Sequence, residues 1–272
     1  MLGVIISDTG KKQYNQDSAC YRFLHHTNGL YVMAAVCDGM GGYEGGGHAG
    51  NLVINALSWW FDHAFVKSPE SYSLNDIRDA LSKQIVKTNQ MLVDYKKRND
   101  MNAGTTLSCL MITPEGWLSC QVGDSRIYSI GSKVEKLTED QSFAYRELKS
   151  GRMTQEEIDR DPRKNMLLQC IGITEEIYPV FHTGTMRNLK GYLLCSDGFW
   201  HTVTEDEMDE LFLNACRIRT EDMSLRVNDL VRSARIRGES DDITAVVLWN
   251  TEAVLQDPIG TIRKSEVFGI DK

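Results

Sequence analysis

The chain has 272 residues, 42% of them hydrophobic, with five prolines and no Pro/Gly/Ser-rich linker; this fits one large domain with a sizeable core. Its formal charge of -8 argues against nonspecific nucleic-acid binding, which needs a basic face for the phosphate backbone. Seven cysteines, an odd number with no CxxC pair, argue against zinc and against a disulfide framework, and for a reducing cytosol.

Residues 3–7, 18–24 and 30–37 read as strands. No basic and then apolar leader opens the chain, and no apolar run reaches the roughly 20 residues of a membrane span. From Gly47 to about Phe65 the apolar residues Leu52, Val53, Ala56, Leu57, Trp60 and Phe61 recur at helical spacing. A second long helix begins with Ser73 as N-cap and Asp76 at the capping-box position, and buries Ile77, Leu81, Ile85, Thr88 and Leu92. Short strands follow at 105–112, 116–122, 125–130 and 133–137, then a charged helical insert at about 140–165 and strands at 176–183 and 191–196. Helices at about 205–215 and 221–236 precede a last strand at 243–249, and residues 251–272 form a C-terminal extension without clear period.

Helices cluster rather than alternate with strands, which predicts α+β with antiparallel sheets, two of them packed face to face with helices outside. Three acidic residues stand at the ends of apolar β-type segments. Asp38 follows the run Leu30–Val36 and precedes Gly39-Met40-Gly41-Gly42, where glycines let the backbone turn tightly. Asp197 follows Tyr192–Ser196, and Asp241 precedes Ile243–Leu248. Oxygen-only ligands without His or Cys spacing suit magnesium or manganese, which keep several waters and so need few protein ligands. Two such ions sharing a water would generate hydroxide near neutral pH. Asp124, in a hairpin turn, and Asp17, in Tyr14-Asn15-Gln16-Asp17, are further ligand or water-accepting candidates, and Lys12, the nearest cation to that second motif, is a candidate to hold a substrate phosphate as a point charge. No G-x-S-x-G elbow and no C-x5-R loop is present, so the expected nucleophile is water and not a side chain.

These segments resemble the metal-dependent type-2C serine/threonine protein phosphatases (the PPM family) in their compact bacterial form. The resemblance runs in order through Ser7-Asp8-Thr9-Gly10, Asn15-Gln16-Asp17, Asp38 to Gly42, Gly104-Thr105-Thr106 and Gly123-Asp124-Ser125-Arg126. It continues through Leu137 to Asp140, Asn165 to Gly172, Ser196-Asp197-Gly198 and Asp241-Asp242-Ile243-Thr244. It implies a four-layer α-β-β-α sandwich, two antiparallel sheets flanked by helix pairs, as a single catalytic domain over 1–250. It also implies two or three Mn or Mg ions and hydrolysis of phosphoserine and phosphothreonine on proteins by a metal-bridging water. By position, Asp38 would bridge two ions, Asp197 and Asp241 complete the first site, and the Gly39 carbonyl serves the second. Asp17 would accept from that ion's waters, and Asp124 would join Asp197 at a third ion. Residues 140–164 resemble the mobile flap beside the active site.

Several positions depart from the family pattern. The phosphate-holding Arg is replaced by Lys12, with Lys11 as the alternative. Gln16 stands for Glu, Met40 for a His proposed as general acid, Gln141 for His, and Leu168-Gln169 for Thr-Arg. The resemblance implies phosphorylated Ser/Thr proteins and a cognate bacterial Ser/Thr kinase as partners, in the cytoplasm. The competing readings are a non-catalytic phosphoprotein-binding module and a hydrolase of another phosphoester.

Overall fold

The computed structural model describes residues 1–41, 45–99, 103–213, 220–250 and 267–268. In chain order the first half comprises β1 (Leu2–Asp8), β2 (Ser18–His26), β3 (Gly29–Cys37), β4 (Gly39–Gly41), α1 (Gly45–His63), α2 (Leu74–Asn99), β5 (Ala103–Thr105), β6 (Leu107–Thr113) and β7 (Gly116–Val122). There follow β8 (Arg126–Ile130), β9 (Val134–Lys136), α3 (Phe143–Lys149), α4 (Gln155–Arg160), β10 (Val180–Gly184) and β11 (Gly191–Cys195). The last elements are α5 (Asp197–Trp200), α6 (Glu205–Leu213), α7 (Thr220–Ile236), β12 (Ile243–Trp249) and β13 (Val267–Phe268).

Two antiparallel sheets carry the fold, one ordered β1-β12-β11-β8-β9 and the other β10-β7-β6-β3-β2-β13, with β4 and β5 forming a small ribbon between elements of the site. The alternation of side chains along a strand explains how they stack. In β3, Val32, Ala34 and Val36 point into the layer between the sheets, with Ile5, Leu110, Ile127, Leu194 and Val246. Met33, Ala35 and Cys37 point the other way, onto Val53, Leu57 and Phe61 of α1 and Ile77, Leu81 and Ile85 of α2. The outer face of the first sheet is covered in the same manner, with Leu193, Cys195, Ala245 and Val247 against Met208 and Phe212 of α6 and Met223 and Val227 of α7. Because both faces of the central strands are buried, they read as continuous apolar runs. The result is the expected α-β-β-α sandwich, each fully buried aliphatic side chain contributing about 1.5–3 kcal/mol.

The Ser73–Asp76 capping box forms: Ser73 N donates to Asp76 Oδ2 at 3.0 Å and Asp76 N to Ser73 Oγ at 3.2 Å. Helix α1 starts at Gly45 and ends at His63, and Phe65 lies beyond it in a short 3-10 turn. The insert resolves into two short helices; Thr154 and Glu157 form a capping box at the start of α4. Cys20, Cys37, Cys109, Cys120, Cys170 and Cys195 are buried and free. Among the described residues no helix is long and apolar enough to cross a membrane. The expected extension at 251–272 lies outside the described residues except for β13, which pairs with the β2 edge through Val267 opposite Cys20 and Phe268 opposite Ala19.

One expected strand is shorter than its sequence suggests. Residues 176–179 are irregular, and β10 begins only at Val180. Pro179 has no N–H to give a ladder, and the carbonyls just upstream are already taken. Asn89, buried on α2, donates through Nδ2 to the carbonyls of Thr174 at 2.9 Å and Glu175 at 3.1 Å, and its Oδ1 accepts from Gly172 N at 2.7 Å. Asn89→Ala would leave these backbone groups without their partner. We expect a loss of about 1–3 kcal/mol or more in urea unfolding; an unchanged midpoint would show that the loop does not depend on Asn89.

Candidate active site

The site lies where strand ends from both sheets meet. Asp38 follows β3, and its backbone is clamped on both sides. Its N–H donates to Thr106 Oγ1 at 2.9 Å, and its carbonyl accepts from Thr106 N at 2.9 Å and Thr105 Oγ1 at 3.0 Å. Gly39 begins β4 and is itself buried. Asp197 occupies the first turn of α5, directly after β11, with Ser196 at the cap. Ser196 Oγ donates to Asp17 Oδ2 at 2.7 Å and accepts from Thr244 N at 2.9 Å. One hydroxyl thus joins the end of β11, the start of β12 and the loop leading into β2.

Asp241 and Asp242 stand side by side before β12, and their roles separate. Asp242 is 1% exposed and faces inward, where Oδ1 accepts from Gly10 N at 2.8 Å and Oδ2 from Gln16 N at 2.9 Å. It bolts the N-terminal loop to the last catalytic strand. Lys11 N donates to Ser240 O at 2.8 Å beside it. Gly10 is required there, because a Cβ would stand 2.2 Å from Ser240 O. Asp241 instead faces the cluster and pairs with the Lys12 ammonium. Lys12 and not Lys11 is the lysine whose side chain the structure places in the cluster.

Asp124 sits in the turn between β7 and β8, where Gly123 adopts φ 91° and a Cβ would meet Thr106 Cγ2 at 2.6 Å. The Asp124 carbonyl accepts from Trp200 Nε1 at 3.1 Å. The guanidinium of Arg126 stacks 3.3 Å from the Trp200 ring centroid and forks onto Asp140, with Nε–Oδ1 at 3.0 Å and Nη2–Oδ2 at 2.6 Å. Asp140 opens the insert that carries α3 and α4, and Gln141 fixes the next step: its N–H donates to Gly123 O and its Oε1 accepts from Gly123 N, both at 2.9 Å. Between α3, α4 and α5 lies a cavity of about 580 Å³, lined by Asp124 and Asp197 at one end and by Tyr145, Ile158 and Lys164 of the flap at the other.

The electrostatics of this cluster are unfavourable for bare carboxylates. Burial, then the neighbouring Asp197 and Asp17, pushes Asp38 well above the ordinary carboxylate range. Burial raises Asp17 to about 7 and Asp124 to about 8, with Asp197 a like-charged neighbour of both. Asp197 is raised by burial and by Asp241, against the favourable field of His201, whose Nδ1 lies 3.9 Å from Asp197 Oδ2. Asp38 and Asp197 retain some accessible surface, but closely packed protein leaves them poorly hydrated. Asp17 Oδ1 is buried without any hydrogen-bond partner.

Such a set fits hard divalent cations, which favour oxygen donors and relieve like-charge repulsion. Among the described residues no three Asp, Glu, His or Cys side chains close on a point as a direct ligand set. Ions held by one or two carboxylates and several waters, as magnesium and manganese are, match that spacing. Thus Asp17, Asp38, Asp124, Asp197, Asp241 and Lys12 come together with Gly39 beside Asp38. Sequence reasoning missed Asp242, Ser196 and His201. The adjacent pair Asp241-Asp242 was the available signal: strand alternation sends one of two neighbouring side chains inward.

Three comparisons bear on this arrangement. The protein phosphatase 2C family profile matches residues 7–232. Protein phosphatase PhpP of Streptococcus pneumoniae is 29% identical over 254 residues, covering 91% of this chain and 97% of that protein. Serine/threonine phosphatase stp of Listeria innocua is 30% identical over 216 residues, 78% of this chain and 82% of that one. Among solved structures, serine/threonine phosphatase Stp1 from Staphylococcus aureus superposes with TM-score 0.78 at 25% identity, over 92% of this chain and 95% of that one. The catalytic domain of the phosphatase PstP in complex with two manganese ions does so with TM-score 0.70 at 25% identity, over 90% and 96%.

Asp17→Asn tests the repulsion directly. Asp17 has a folded pKa of about 7 against an ordinary value of 3.8, so the folded state holds its proton more tightly. Stability therefore falls as pH rises from about 4 to about 7 and then levels. In EDTA, Asp17→Asn is expected to melt about 3 °C or more above the parent at pH 8 and to lose that advantage at pH 4. A parent that is the more stable of the two at pH 8 would contradict this account.

Proposed function

Since the chain belongs to the protein phosphatase 2C family and is a protein serine/threonine phosphatase, we propose that it hydrolyses phosphoserine and phosphothreonine with water held in the carboxylate cluster, opposing a bacterial Ser/Thr kinase in the cytosol. The observation that carries the reading is the convergence of Asp17, Asp38, Asp124, Asp197 and Asp241, each from a different part of the chain, with their mutual repulsion uncancelled by the cations beside them. Two divalent ions, or three, would when bound lower the pKa of a water and take up charge from a phosphoryl oxygen. We assign the catalytic domain to residues 1–250 with the flap at about 140–165, and the C-terminal extension to 251–272.

The residues of the chain then divide the work. Asp38, Asp197 and Asp241, with the Gly39 carbonyl, would hold the cations. Asp17 would accept from water through the oxygen left free by Ser196, and Asp124 with Asp197 would hold a third ion. The Lys12 ammonium attracts the substrate phosphate as a point charge. Water adds to phosphorus and releases a proton to solvent, the P–O bond to the Ser or Thr oxygen breaks, and the departing oxygen takes a proton, leaving inorganic phosphate and the free hydroxyl. Met40 carries no proton to give, so solvent supplies it. Side-chain nucleophiles have no support: burial raises the thiols of Cys37 and Cys170, that of Cys170 to about 12.

The expected result is manganese-dependent release of phosphate from p-nitrophenyl phosphate and from a phosphothreonine peptide. EDTA, Asp38→Ala or Asp197→Ala should each reduce it to background. Turnover that survives chelation would remove the metal-dependent reading; phosphopeptide binding without turnover would favour a binding module.

A further inference from the structure

The loop from Gly10 to Gln16 is anchored on both sides of Lys12. Gly10 N and Gln16 N donate to the two oxygens of Asp242, and Lys11 N to Ser240 O. Asn15 braces the same loop, with Nδ2 donating to Ser7 Oγ at 2.8 Å and Oδ1 accepting from Asp17 N at 2.9 Å. The backbone of Lys12 is therefore held beside Asp241, while its four-carbon stem can swing. The ammonium rests on Asp241 Oδ1 and lies 3.7 Å from Asp242 Oδ2, with 38% of its side chain exposed. Asp242 is occupied by two backbone donors and Asp241 by one, Asp242 N on Oδ1 at 2.8 Å, so Asp241 is the carboxylate with room for the ammonium. A divalent cation cannot share the carboxylate of Asp241 with an ammonium without repulsion.

Resting on the metal-dependent reading above, we propose that Lys12 is a resident counter-cation of Asp241 which a divalent ion displaces, and that the displaced ammonium is the group that receives the substrate phosphate. Filling the site and freeing the phosphate grip are then one exchange. A lysine suits this role: a compact charge on a flexible stem moves between two oxygens a few ångströms apart, where a forked guanidinium would hold its carboxylate by two bonds.

The exchange makes Lys12 work against metal binding and for substrate binding, and a residue that merely shapes the loop would not produce opposite signs. Isothermal titration of the EDTA-stripped, dialysed full chain with manganese should show Lys12→Met binding about two- to fivefold more tightly than the parent, the range of a partly exposed ion pair. The same variant should raise KM for p-nitrophenyl phosphate. Lys12→Arg, which keeps the charge but can hold Asp241 by two bonds, should stay at or below parental manganese affinity and restore KM only in part. Manganese affinity unchanged or weakened in Lys12→Met overturns the exchange while leaving the metal-dependent phosphatase intact. A parental chain that binds no manganese overturns that reading and the exchange with it.

Discussion

Carboxylates repel one another, and this fold forces five of them together at one end of its sandwich. Everything around them serves to hold that arrangement. Thr105 and Thr106 grip the backbone of Asp38, Ser196 spans Asp17 and the β12 backbone, Trp200 holds the carbonyl of Asp124, and Asp242 spends both oxygens on the backbone of the N-terminal loop. None of these contacts neutralises the cluster. They fix geometry and leave the charge for cations to balance, a division typical of sites where stability is given up for chemistry.

Much of the scaffold was legible because its causes are local. Continuous apolar runs mark the central strands, Ser73 and Asp76 announce α2, and the position of Asp38, Asp197 and Asp241 at strand ends marks the cluster. What escaped depends on contacts far apart in sequence. Asn89 sits 85 residues from Thr174 whose carbonyl it satisfies, so nothing nearby warned that residues 176–179 would leave the ladder. Helix α5 is a single short turn, too brief for any period. The division of labour between Asp241 and Asp242 required the direction of each side chain, which shows only in their partners from the N-terminal loop, more than 220 residues away.

The flap is joined to the cluster by polar contacts and not by a broad apolar interface. Arg126 stacks on Trp200, forks onto Asp140 and touches the Tyr128 hydroxyl. Gln141 exchanges two hydrogen bonds with Gly123. Within the flap, Arg152 forks onto Glu147 and Arg163 lies 4.2 Å from the Phe143 ring centroid. The insert therefore has its own internal order and is tied to the turn that carries Asp124. The Gln141 that replaces the family's usual histidine acts here as a backbone splint, and it gives the departure from the family pattern a structural role.

The bond from Asp242 to Gly10 and Gln16 has a bearing on biosynthesis. Strand β12, which enters next to last among the described strands, lies between β1 and β11, and the first 17 residues wait for it. A nascent chain still tethered to the ribosome with β12 inside the exit tunnel has neither Asp241 nor the clamp on its N-terminal loop. Contacts of such long range form late. The loop that carries Lys12 therefore gains its anchorage only after β12 has entered the sheet.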